Sequence, residues 1–245
     1  MPGPMRIDVV TIFPTLFQGV AAHSILRIAR EQNRIQLVVT DLRDFTTDKY
    51  RSVDDRPFGG GPGMVLKVEP VVKAVRAVQA QVPGQPGRLL LMCPQGRLFS
   101  QQLAREYARE ARLVFVAPHY EGYDERIVDI LRPERVSIGD YVLTGGELSA
   151  LAVMDAVVRL LEGVLGDPES LACESFAPGN QGMLEYPHYT RPNVFEGHAV
   201  PAVLVSGDHA RVEAWRRRQA LQRTLALRPD LLSRKPPQRN GSVEC

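Results

Sequence analysis

The sequence is poor in cysteine, in tryptophan and in net charge. Its three cysteines, Cys93, Cys173 and Cys245, are far apart and form no CxxC pair. That argues against a disulfide framework or a metal site of the zinc-finger kind and suits a reducing cytoplasm. Thirty basic residues against 28 acidic ones leave a formal charge of only +2, without the basic excess of a dedicated nucleic-acid binder. No apolar run approaches the ~18 residues that a membrane helix needs. The start, MPGPMRIDVV, lacks the basic, apolar and small-residue order of a signal peptide. Also missing are GxxxxGK[ST], HExxH, GxSxG and GxGxxG, and the run Gly59-Gly60-Gly61-Pro62-Gly63 is wrongly spaced for a dinucleotide fingerprint. A nucleoside ligand would have to be held by another device.

What is present is an uneven distribution of charge. Met1 to Ala210 carries 21 basic and 25 acidic residues, a net of −4. Arg211 to Arg239 carries 9 basic and 2 acidic residues, a net of +7. The length of 245 residues allows one large domain or two small ones, and the charge split favours two.

Apolar, β-rich runs recur at Arg6–Phe13, Ile35–Thr40, Arg88–Cys93, Leu113–Ala117 and Arg135–Ile138, with helical periodicity between them. The clearest helix is predicted over Glu69–Gln81, where Val71, Val75, Val78 and Val82 share a face. A second is predicted from about Gly146 to Leu161. Strands alternating with helices predict an α/β domain around a mostly parallel sheet. Beyond Leu165 the residues from Gly166 to Glu185 read as a linker or mobile loop, rich in proline and glycine. A helix should follow from an Asp208 N-cap to Leu227, with Ala214, Leu221 and Leu225 as its buried stripe and arginines in rows beside it. Pro236–Cys245 reads as disordered. The expected division is therefore 1–165, a linker over 166–185, and a small, mainly helical, basic domain over 186–245.

Three strands run into turn-rich segments: Pro94-Gln95-Gly96, Pro118-His119-Tyr120-Glu121-Gly122, and Gly139 through Glu147. In open α/β sheets, ligands bind beyond the carboxyl ends of strands, where such loops meet. Glycine there lets the backbone approach a ligand and offer N–H and C=O groups.

Four blocks then resemble a family. Asp54-Asp55-Arg56-Pro57-Phe58 through Met64, Tyr120-Glu121-Gly122-Tyr123-Asp124-Glu125-Arg126, Ser137 through Leu148, and Pro187-His188-Tyr189-Thr190-Arg191-Pro192 look like the bacterial tRNA (guanine-N1)-methyltransferases, in order from about Met5 to Leu232. The resemblance implies the SPOUT fold with a deep trefoil knot and a small C-terminal domain. It also implies S-adenosylmethionine as cofactor, tRNA as partner, a magnesium requirement without an assigned site, and a homodimer whose subunits share each active site.

By the same resemblance, Pro94, Gln95, Pro118, Tyr120, Glu121, Gly122, Ser137, Ile138, Gly139, Tyr141, Leu143, Gly145 and Gly146 would bind the cofactor. Arg159 would stabilise charge at guanine O6. Glu174 would be the general base, in a segment where relatives usually carry aspartate. A second departure is Ala117-Pro118-His119, where relatives commonly carry Cys-Gly-Arg; Pro118 offers no backbone N–H and His119 no permanent charge. For tRNA the candidates are Asp55, Arg56, His188, Arg191, Arg216, Arg218 and Arg223. Alternative readings are a knotted methyltransferase for another RNA position and an RNA-binding protein whose catalytic loop has decayed.

Overall fold

The computed structural model describes residues 3–165, 171 and 173–233. Residues 166–170 and 172 of the expected linker lie outside the described residues, as does the whole of Pro236–Cys245. The chain divides into two compact units, Met1–Gly166 and Asp167–Cys245.

The first unit is built on a five-stranded, all-parallel sheet in the order β2-β1-β6-β5-β7. Its strands are β1 (Met5–Thr11), β2 (Ile35–Asp41), β5 (Arg88–Leu98), β6 (Arg112–Val116) and β7 (Glu134–Ser137); the short pair β3 (Asp54–Asp55) and β4 (Val65–Leu66) forms a separate antiparallel ribbon. Alternation along the strands feeds two cores. Ile7, Val9, Leu90, Met92, Leu113 and Phe115 face one side and pack with α1 (Pro14–Val20), α2 (Ser24–Glu31), α4 (Gln101–Tyr107) and α6 (Glu147–Val158). Val10, Leu89, Leu91, Val114 and Val116 face the other and pack with α3 (Val68–Ala80) and α5 (Arg126–Leu131). A sheet covered on both faces needs strands that are apolar nearly throughout, which is how β6 reads.

One polar cluster interrupts the second core. Asp8 on β1 and Arg112 on β6 are buried and joined at 2.8 Å. The Arg112 guanidinium also donates to the carbonyls of Val78 (2.6 Å), Gln79 (3.3 Å) and Gln85 (2.8 Å), at the end of α3 and just beyond it. Carbonyls in the last turn of a helix lack intrahelical partners, so one side chain both neutralises Asp8 and closes that end. Arg6 adds a second guanidinium to Asp8 at 2.8 Å.

The sequence expectation for β5 needs correction. The strand does not stop at Cys93; it runs to Leu98, and both Met92 and Arg97 pair with Val136 across a register shift. Cys93-Pro94-Gln95-Gly96 is therefore an excursion inside a strand. A side chain at Gly96 would collide with the backbone of Arg135 and Val136, so the close approach requires glycine.

The second unit contains α7 (His209–Leu227), α8 (Asp230–Ser233) and a hairpin of β8 (Val194–Phe195) with β9 (His198–Ala199). Asp208 caps α7, its carboxylate accepting from the Arg211 amide at 3.0 Å. The expected stripe on α7 is wrong. Ala214, Leu221 and Leu225 are exposed, whereas Ala220 and Thr224 are buried. The reason is polar: the Thr224 hydroxyl donates to Ala220 O and accepts from the Leu184 amide, turning that face inward. The described part of the expected linker is not featureless. It carries a 3-10 turn at Pro178–Asn180, and the Asn180 amide donates to the carbonyls of Met183 and Leu184. Among the described residues no helix is long and apolar enough to cross a membrane.

Arg112→Ala leaves Asp8 buried against Arg6 alone and opens the end of α3. The expected cost is about 3 kcal/mol, read as a lower midpoint in urea unfolding followed by circular dichroism.

Candidate ligand site at the sheet's carboxyl edge

Parallel pairing sends β5, β6 and β7 out of the sheet at the same edge. The segments that follow, with the excursion in β5, enclose a cavity of about 560 Å³. Its walls are Met92, Cys93 and Pro94 from β5, Pro118 through Tyr123 after β6, and Val136 through Gly139 with Tyr141 through Gly146 around and after β7; Ser149 closes it from α6. The volume falls within the usual range of small-molecule sites, about 300–1,000 Å³.

The walls are stapled to one another through the backbone. Gly146 N–H donates to Pro118 O at 2.6 Å, and His119 and Gly145 form an antiparallel bridge. A side chain at Gly146 would meet Pro118, Ala117 and Met92, so the tight crossing excludes one. On the other flank, Glu121 N–H donates to Met64 O and Leu66 N–H to Gly122 O, fastening the Gly59–Gly63 loop to this wall. Gly63 (φ +74°) lies so close that any side chain there would strike Glu121. Tyr120 holds φ +75°, a strained value for a residue with a Cβ, of the kind that clusters at functional sites. Burial pushes the Tyr120 hydroxyl up to about 12, helped by the nearby Asp54 carboxylate. Burial also raises Tyr123, beside Cys93. Both phenols thus remain neutral donors at physiological pH.

Twelve of the thirteen residues expected to bind a cofactor line this cavity. The exception is Gln95, whose side chain turns outward and accepts from Arg135 Nη1 at 3.3 Å. It lies on the excursion in β5, where a side chain can leave the wall that its neighbour Pro94 joins. The other lining residues are Met92, Cys93, His119, Tyr123, Val136, Val142, Thr144 and Ser149. The buried Ser149 hydroxyl donates to Gly146 O at 2.8 Å, tightening the first turn of α6.

The remaining candidates fall elsewhere. Arg159 is the C-cap of α6 in the first unit. Glu174 lies in the second unit, half-buried in a folded turn, with Ala177 N–H donating to its carbonyl. Asp55 and Arg56 are exposed, and Arg56 borders a second hollow of about 510 Å³ lined also by Pro57, Gly60, Gly61, Gly63 and Met64. Arg191, Arg218 and Arg223 are exposed, and His188 pairs with Glu185 at 2.9 Å. Arg216 departs from the expected outward row. Its guanidinium lies over the Tyr186 ring, 4.8 Å from the centroid.

A family model described as tRNA (Guanine-1)-methyltransferase TrmD matches residues 5–234. A Chloroflexus aggregans protein named tRNA (guanine-N(1)-)-methyltransferase is 53% identical over 231 residues, covering 94% of this chain and 88% of the relative. Proteins of the same name from Listeria welshimeri and Desulforamulus reducens are each 50% identical, over 232 and 228 residues. Those two alignments cover 95% and 93% of this chain, and 94% and 89% of the relatives.

Alkaline titration followed by phenolate absorbance should contain a component near pH 12 that Tyr120→Phe removes. Because the folded-state value lies above the ordinary 10, this group's stabilisation is complete below pH 10 and is lost as pH rises towards about 12.

Proposed function

The chain belongs to the tRNA (guanine-1)-methyltransferase family, and on that premise we propose that it methylates N1 of the guanine immediately 3′ of the anticodon in tRNA, with S-adenosylmethionine as donor. The observation that carries the reading is the cavity at the carboxyl edge of β5, β6 and β7. Its residues fit such a donor: Ile138, Leu143 and the tyrosine rings suit an adenine, glycine backbone can meet its polar edge, and the Glu121 carboxylate suits a cation. When bound, S-adenosylmethionine supplies an electrophilic methyl group on sulfonium sulfur.

The protein's own task is set by guanine, whose N1 holds a proton at neutral pH. Glu174 takes that proton, and Arg159 holds the negative charge that develops at O6. The deprotonated N1 would then be the nucleophile that the donor's electrophilic methyl group requires. Glutamate can replace the usual aspartate because its intrinsic acidity is similar and its extra methylene is accommodated by a loop. The loop supports this role: Phe176 N–H donates to Met183 O and Ser175 Oγ accepts from Glu185 N–H, folding the chain around Glu174.

Recognition of tRNA rests on the basic second unit and the Asp55-Arg56 loop. Arg218 and Arg223 contact phosphates, giving affinity and salt dependence with little sequence information. His188, Arg191 and Arg216 are further tRNA contacts in this reading, Arg216 from its place over the Tyr186 ring. The guanine itself must be extruded to reach the cavity. Two subunits complete each site, which is supported by exposed apolar side chains in its lining: Val142 is 85% and Tyr141 53% exposed. The trefoil threading, the division into catalytic and tRNA-binding domains joined by a 166–185 linker, the cytoplasmic location and the magnesium requirement belong to the same proposal. Magnesium is given no site, and transfer measured with and without a chelator tests it.

Single-turnover transfer to a tRNA transcript should fall about 10²–10⁴-fold in Glu174→Gln, and severely in Arg159→Ala, while S-adenosylhomocysteine still binds. Near-normal transfer by Glu174→Gln would remove it as the base. Nucleoside mass spectrometry should find 1-methylguanosine as product, whereas binding without transfer would favour the RNA-binding alternative. Arg218→Ala and Arg223→Ala should each weaken tRNA binding and lower the log–log salt slope by about 1.

A further inference from the structure

Glu147, the first residue of α6, is 4% exposed. Burying a carboxylate is costly unless it is hydrogen-bonded, so its partners are informative. Oε1 accepts from the Thr11 hydroxyl at 3.4 Å, and Oε2 lies 3.3 Å from His119 Nδ1. The helix N-terminus adds a favourable field for the anion. His119 is in turn gripped by aromatic edges, with the Phe13 centroid at 4.9 Å and that of Tyr120 at 5.5 Å. His119 lines the cavity whereas Glu147 stands behind it. A side chain at Gly145 would strike both, so the close packing of the pair against this wall requires glycine.

From this geometry we infer that Glu147 and His119 are a positioning pair for the cofactor. The inference rests on the cofactor reading of the cavity and deepens it. The buried carboxylate sets the imidazole. The imidazole, on a residue whose backbone bridges to Gly145, holds the Tyr120–Gly122 wall in the shape that receives the ligand. The pair links the loop after β6 to the loop before α6 by side chains, where Gly146 and Pro118 already link them by backbone.

The test uses the full-length protein, with S-adenosylhomocysteine binding by calorimetry and steady-state transfer to tRNA. His119→Ala should weaken binding about tenfold, within the range measured for coupled contacts. The KM for the donor should rise while the KM for tRNA holds. His119→Asn, whose amide nitrogen stands where Nδ1 does, should recover binding to within about threefold of the unsubstituted chain. His119→Gln, which places its amide near Nε2, should not. In a double-mutant cycle, His119→Ala combined with Glu147→Leu should lose no more than the worse single variant. If Glu147→Leu does not fold, the Asn-against-Gln comparison decides alone. Additive losses, no recovery by Asn, or a lowered melting temperature with unchanged affinity would each overturn the pair. Failure of the unsubstituted chain to bind S-adenosylhomocysteine would overturn the cofactor reading as well, and is distinguishable because it precedes any substitution.

Discussion

The buried guanidinium of Arg112 is the interaction on which the first unit depends. It sits at the amino end of β6, the middle strand of the sheet, and ties that strand to Asp8 of β1 and to the carbonyls at the end of α3. A buried ion pair contributes little net stability beside an apolar replacement, but losing one partner is expensive. Such a pair therefore acts as a constraint on register. β6 can pair with its neighbours only where Arg112 meets both Asp8 and the end of α3. With its amino end set, its carboxyl end delivers Pro118 through Tyr123 to one place, the wall of the cavity.

The cavity owes its form to backbone more than to side chains. Gly146 against Pro118, His119 against Gly145, and Met64 and Leu66 against Glu121 and Gly122 are all main-chain contacts. The glycines stand where a Cβ would collide with Pro118, Glu147, His119 or Glu121. Loops joined in this way lose little further entropy when a ligand enters, which is how preorganisation raises affinity. Behind this inner layer stand two carboxylates, with Asp54 near Tyr120 and Glu147 on His119.

Much of this was legible in the residues. The five main strands and the helices over α3, α6 and α7 follow from period and end signals, and Asp208 caps where its type and place predict. Even the cavity was legible as three glycine-bearing loops after successive strands, because parallel topology leaves them one edge on which to gather. That Gln95 stands outside the cavity lining is not legible locally, because nothing there shows that β5 continues past Cys93 and turns that side chain outward. On α7, the spacing of Ala214, Leu221 and Leu225 marks one face correctly in period. The inward face was instead chosen by Thr224 satisfying the Leu184 amide 40 residues away. Arg216 likewise reads as one of a row of cations until Tyr186 is seen beneath it.

The sequence by itself determined the class of fold, the uneven charge and, through four unusual blocks, the family. These reside in local composition, periodicity and spacing, which a single chain displays in full. Tertiary structure alone decided which polar groups are buried and what each one meets. Asp8 and Arg112 are 104 residues apart, and His119 and Glu147 are 28 apart. Burial makes a hydrogen bond obligatory without naming the partner, and the partner is known only once the sheet has brought distant loops to a common edge.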